Sequence, residues 1–310
     1  MTKTIVLALV AATLLTGRAS GQVAPTGDAW LRRPVDDRTF RAYLEFFGYD
    51  QRLPFDTDAG DTVQLGGARR EHVSFQSTAG TRVTAFYYRA AEGGRLGSGV
   101  VLLHGGGAGG KDGAGARFIA ELIARAGIDV LSIDMPHFGE RSDGLFTTFA
   151  EAEKHDRLYN QPPAYLAWVT QIVKDVGRSV DWLVAERGVD ARRIGIVGVS
   201  RGAVLASIVG GADRRLAVVV LSYGGHFDAL ENGHLPAACP ANYIGRISPR
   251  PLLMINGTQD NDFVRAASVE PLYRLARSPR EIVWEEAGHR GVPAPEHQGA
   301  MLEWLREHLR

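Results

Sequence analysis

The chain has 310 residues, with 35 basic and 35 acidic side chains and a single cysteine. A formal charge of zero gives no reason to expect nucleic acid or an anionic membrane as partner, and Cys239 alone excludes an intrachain disulfide. With 45% hydrophobic residues and no internal repeat, the length suits one large α/β domain that stands on its own core.

Residues 1–21 read as a signal peptide. Lys3 is followed by an apolar stretch from Ile5 to Leu15, and Ala19 and Gly21 supply the small residues that precede a cut after Gly21. The expectation is export to the periplasm or the medium. The apolar stretch is too short to span a bilayer, and no membrane span is expected in the mature chain. Residues 22–69, rich in Trp30, Phe40, Tyr43, Phe47 and Tyr49, read as an N-terminal extension packed on a main domain of residues 70–310.

The main domain opens with His72–Phe75 and Thr81–Tyr87, which alternate with period two around the turn Thr78-Ala79-Gly80, the pattern of an antiparallel hairpin. Six short, solidly apolar runs follow: Val100–Leu103, Ile128–Ile133, Ile194–Val197, Val218–Leu221, Leu252–Ile255 and Ile282–Trp284. Such runs suit strands buried on both faces. Amphipathic stretches at 117–126, 165–187, 203–211, 266–277 and 297–309 alternate with them. The expectation is an eight-stranded, mostly parallel sheet with helices on both faces. Residues 136–163, carrying Phe138, Phe146, Phe149 and Tyr159, interrupt that alternation as an insertion suited to a lid or substrate wall.

In an open α/β sheet, ligands bind beyond the carboxyl ends of the strands, so reactive side chains just after a strand carry the chemistry. Ser200 is the centre of Gly198-Val199-Ser200-Arg201-Gly202, between an apolar strand run and a helix. A strand-to-helix elbow exposes the hydroxyl and aims N–H groups at it. That motif alone is weak, but Asp260 and His289 follow the seventh and eighth strands, giving the order Ser, Asp, His along one edge of the sheet. Asp262 and Asp228 remain alternatives for the acid. Gly105–Lys111 has the G-x-x-x-x-G-K spacing of a phosphate-binding loop, yet Asp112 stands where a magnesium-ligating Ser or Thr is needed, which argues against nucleotide binding. No histidine pair has the i, i+4 spacing of a helical zinc site, and neither a metal nor a cofactor is expected.

On Leu103-His104-Gly105-Gly106-Gly107, Asp134 to Ser142, Gly198 to Gly202, Gly257 to Asp260 and Gly288-His289, the chain resembles the α/β-hydrolase superfamily. Within it, the chain is similar to the dienelactone hydrolase and acetyl xylan esterase-like serine hydrolases. The resemblance implies Ser200 as nucleophile, His289 as general base and Asp260 as its orienting acid. It also implies an oxyanion hole from the backbone N–H groups of Arg201 and of Gly106 or Gly107. His104 is read as structural. His137, Phe138, Tyr223 and His226 are candidate substrate contacts, and the Arg201 side chain either binds an acidic substrate group or caps local structure. The expected activity is cleavage of a small-molecule carboxylic ester with a small or medium acyl group. A peptidase, amidase or lactonase with the same residues, or a binding protein without turnover, are the competing readings.

Overall fold

The computed structural model describes residues 28–91 and 96–310. The expected signal peptide lies outside the described residues. Three antiparallel strands, β1 (Asp58–Leu65), β2 (Ala68–Thr78) and β3 (Thr81–Ala90), lead into six parallel ones. These are β4 (Gly99–Leu103), β5 (Asp129–Ile133), β6 (Ile194–Val199), β7 (Val218–Ser222), β8 (Leu252–Gly257) and β9 (Arg280–Glu285). They form one sheet in the order β1-β2-β3-β5-β4-β6-β7-β8-β9, an α/β-hydrolase fold.

The apolar runs are buried on both faces because alternate side chains enter different cores. Val101, Leu103, Ile196 and Leu221 point to the face covered by α3 (Pro162–Arg187) and α4 (Arg201–Ala212), where they meet Ile172, Trp182, Val204 and Ile208. Val100, Leu102, Val197 and Val220 point to the other face. There α2 (Ala114–Arg125) brings Ile119 and Ile123, and α6 (Pro295–His308) brings Met301 and Leu305, while the shorter α1 (Asp37–Leu44) and α5 (Glu270–Leu275) pack on the first face. Each such side chain, fully buried, contributes about 1.5–3 kcal/mol.

The sheet has nine strands, one more than the eight expected. The additional strand, β1, lies inside the segment read as an N-terminal extension. Its sequence, Asp58 to Leu65, is exposed at nearly every position and pairs with β2 on one side alone. An edge strand without a buried face carries no period-two apolar signal, and it was invisible for that reason. The extension also packs through its aromatics. Phe40 and Phe47 contact Tyr243, and Tyr49 donates to Asp181 at 2.9 Å while lying against Gly177, where any Cβ would collide with its ring. Among the described residues no helix is long and apolar enough to cross a membrane.

The order of strands sets the site. β5 pairs on one side of β4 and β6 on the other, through Val101↔Leu131 and Val101↔Ile196. The loops after β4 and β6 therefore diverge, leaving a crevice at their carboxyl ends. The glycine loop and Ser200 occupy those two positions.

Candidate active site

Ser200 joins β6 to α4 with φ 52° and ψ −117°, a conformation that costs a non-glycine residue about 1–3 kcal/mol. The surrounding packing enforces it. A Cβ on Gly198 would stand 2.3 Å from the Gly202 carbonyl oxygen, and one on Gly202 would stand 2.3 Å from that of Leu103. Only glycine at both positions lets the turn close this tightly against β4. The Ser200 N–H donates to Ser222 O at 2.8 Å, tying the elbow to β7.

His289 and Asp260 meet Ser200 from the ends of β9 and β8. Ser200 Oγ lies 2.8 Å from His289 Nε2, and His289 Nδ1 lies 2.8 Å from Asp260 Oδ2. The other Asp260 oxygen accepts the backbone N–H groups of Asp262 and Phe263 at 2.9 and 3.0 Å, which fixes the carboxylate's orientation. Burial alone would push the imidazole pKa down. The hydrogen bond and charge of Asp260 outweigh it, with Asp262 and Asp228 adding to the effect, so His289 titrates above its ordinary value. The alternatives for the acid sit elsewhere. Asp262 Oδ2 is 3.8 Å from Nε2, on the serine side of the ring. Asp228 is engaged by His155 at 3.0 Å and by Arg201.

The glycine loop faces Ser200 across the cleft. Gly105 approaches so closely that an added Cβ would be 3.4 Å from Ser200 Cβ. The backbone N–H groups of Gly106, Gly107 and Arg201 have no hydrogen-bond acceptor among the described residues, and all three residues border the cleft. His104 anchors the loop. Its Nδ1 lies 2.6 Å from Gly105 O, and its Nε2 accepts the Met135 N–H at 3.1 Å. Burial pushes this histidine down to about 4, so it is neutral with Nδ1–H donating. Lys111, the residue that suggested a phosphate loop, is buried against Asp134 at 2.9 Å and Glu140. Its ammonium is consumed in holding the loop to the end of β5.

The cleft has a volume of about 520 Å³, and the insertion forms one wall. A π-helical turn, His155–Tyr159, brings His155 and Tyr159 to the cleft, and Glu151 joins them from the preceding turn. Tyr159 belongs to the insertion read from the sequence as a substrate wall, but Glu151 and His155 escaped that reading because their placement depends on a helical irregularity with no periodic signature; π-turns of this kind recur at functional sites. Arg201 is almost fully buried, paired with Asp228 and Glu231, and stacked on Tyr159 at 3.9 Å. Its charge is thus satisfied by the protein, which removes the reading that it awaits an acidic substrate group.

The four candidate substrate contacts do not border this cleft. Phe138 is buried, stacked on Phe146 at 4.0 Å. His137 pairs with Asp143 at 2.8 Å and lines a separate groove with Phe149 and Trp168. His226 is buried, its backbone N–H donating to Ser268 Oγ at 2.9 Å. Tyr223 is buried behind the site, its ring edge-on to His289 at 5.9 Å. Each follows a strand or lies near one, but Phe138, Tyr223 and His226 turn into packing and His137 turns to the separate groove. Among the described residues, two groups have donors close enough together to hold a cation, His155 with Asp228 and Glu231, and Asp260 with Asp262 and His289. In the first the Arg201 guanidinium already bonds both carboxylates, and in the second both ring nitrogens are engaged.

No family model and no curated protein matches the sequence. Solved structures do match the fold. Acetyl xylan esterase 1 from a Thermoanaerobacterium species superposes with TM-score 0.67 at 17% identity, covering 91% of this chain and 98% of that one. The acetyl xylan esterase of a Paenibacillus species gives 0.66 at 18% identity, covering 91% and 99%. A cold-adapted esterase from an Arctic intertidal metagenomic library gives 0.62 at 21% identity, covering 81% and 98%. The fold is shared with these esterases over most of the chain.

Proposed function

We propose that the chain is a serine hydrolase that cleaves carboxylic esters of small or medium acyl groups through an acyl-enzyme. The observation that carries this reading is the unbroken hydrogen-bonded series Ser200–His289–Asp260 on a strained elbow that opens into a cleft. In the first half-reaction Ser200 Oγ attacks the acyl carbon while His289 Nε2 takes the serine proton. Asp260 holds the imidazole in the tautomer with Nδ1–H and stabilises the imidazolium. The tetrahedral oxyanion is received by the N–H of Arg201 and that of Gly106 or Gly107, each such donor contributing about 3 kcal/mol. Collapse expels the alcohol, protonated by His289, and leaves Ser200 acylated. Water, deprotonated by His289, then attacks the acyl carbon, and the acyl–Oγ bond breaks as His289 returns the proton to Ser200, releasing the acid.

The esterase folds it resembles, two of them acetyl xylan esterases, support an ester rather than an amide and make acetyl esters the first substrates to try. Lys3, the apolar stretch to Leu15 and the small residues at 19 and 21 support export, which N-terminal sequencing of the mature protein tests. The functional reading is tested by hydrolysis of p-nitrophenyl esters from acetate to decanoate by wild type and Ser200→Ala. Turnover of short esters that disappears in the variant is the expected result. No turnover at any length by folded wild-type protein would overturn it.

A further inference from the structure

Glu285 is a buried carboxylate outside the proton relay. It ends β9 and is only 3% exposed. One oxygen accepts the Ala294 N–H at 2.9 Å and lies 2.9 Å from His297 Nδ1, and the other accepts the Tyr223 O–H. Its carbonyl accepts the N–H groups of Thr258 and Ala287 at 2.8 and 2.9 Å. The loop that carries His289 is therefore fastened at both ends to this one residue. A third tie comes from Ser222 Oγ, which donates to Gly291 O at 2.8 Å.

Tyr223 extends the arrangement to the imidazole. Its ring is fully buried, its φ is +53°, and it meets the His289 ring edge-on at 88°. A buried carboxylate is stable only when its oxygens are bonded, and both oxygens of Glu285 are. Tyr223 also holds a left-handed backbone conformation that is unfavourable for an aromatic residue. The bonded carboxylate and the strained tyrosine form one series of contacts that ends on the His289 ring. We propose that Glu285 is a positioning residue for His289, holding the ring between Ser200 and Asp260 through Tyr223 and the ends of loop 286–294. This rests on the reading of His289 as the general base.

The test is an NMR titration of the His289 ring in wild type, Glu285→Gln and Tyr223→Phe, which needs no substrate. The groups facing His289 are Asp260 at Nδ1, Asp262 and Ser200 at Nε2, and the Tyr223 ring, with Asp228 and Arg290 nearby. Those on Glu285 are Tyr223 and His297. In E285Q the ring is held less closely to Asp260, and its pKa falls by about half a pH unit. In Y223F, which keeps the ring and loses one bond, it moves the same way by less. If E285Q does not fold, the Y223F shift decides. For ester turnover, E285Q lowers kcat about tenfold with KM within about twofold. A wild-type His289 titration in a folded variant, even one with a lowered Tm, would overturn the proposal and leave Glu285 a purely structural group. Should wild type hydrolyse no ester, the titration still decides the positioning role, so the two readings fail separately.

Discussion

The two walls of the cleft are held by different forces. On one side Ser200, the glycine loop and the His289 loop are fixed by the backbone: a left-handed elbow, glycines with no room for a Cβ, and N–H groups bonded across strand ends. On the other side the insertion is held by charged and aromatic side chains, with Arg201 bonding Asp228 and Glu231, His155 bonding Asp228, and Tyr159 under the guanidinium. Backbone sterics tolerate almost no substitution, whereas a side-chain cluster can be rebuilt with other residues. The first wall suits a mechanism that must stay constant and the second a specificity that can change.

That contrast is tested first where the backbone holds. Ser200→Ala should lower kcat for short p-nitrophenyl esters by at least about 10⁴-fold with an unchanged melting curve. A variant retaining wild-type turnover would place the nucleophile elsewhere. Asp260→Asn should cost about 10³–10⁴-fold in kcat, because the amide favours the wrong imidazole tautomer. Asp262→Asn should stay within about tenfold, since its carboxylate lies on the serine side of the ring. Equal losses in the two variants would dissolve the assignment of the acid.

On the other wall, Arg201→Met removes the cation from between two carboxylates. Taking one partner from a buried pair costs about 3–5 kcal/mol, to be read by urea denaturation. The ester chain-length preference should broaden as the insertion loosens, while short-ester kcat falls far less than in the Ser200 variant. Unchanged stability would mean that the cluster does not fasten the wall. The smallest effect is on pH. In the proposed mechanism the neutral imidazole is the base, and Asp260 raises its pKa against the opposing effect of burial. The acid limb of kcat/KM should therefore have its midpoint above pH 6.5, the ordinary histidine value. Activity appears as pH rises through that midpoint, and a midpoint below 6.5 would contradict the sign.

Legibility in the sequence followed the same division. Ser200, Asp260 and His289 stood out because each comes just after an apolar run, and a parallel sheet delivers all such positions to one edge. The two cores were legible as well, since strands buried on both faces leave no polar alternation. β1 was not, because an exposed edge strand carries no hydrophobic pattern. Nor was the Arg201 cluster, whose members come together from a π-turn at 155, the start of a helix at 201 and the loop that holds 228 and 231. Tyr223 was picked out for its place after β7, but it turns to Glu285 instead of to the cleft. Position after a strand places a residue at the functional edge; which way its side chain turns is decided by partners far away in the chain.

The central claim is that Ser200 is an activated nucleophile, and covalent labelling tests it most directly. Wild type treated with a fluorophosphonate probe, digested and mapped by mass spectrometry should carry one adduct, on the peptide containing Ser200. The adduct should be lost in S200A and form far more slowly in His289→Ala. Folded wild type that fails to label, or labels at another residue while Ser200 stays unmodified, would contradict the account.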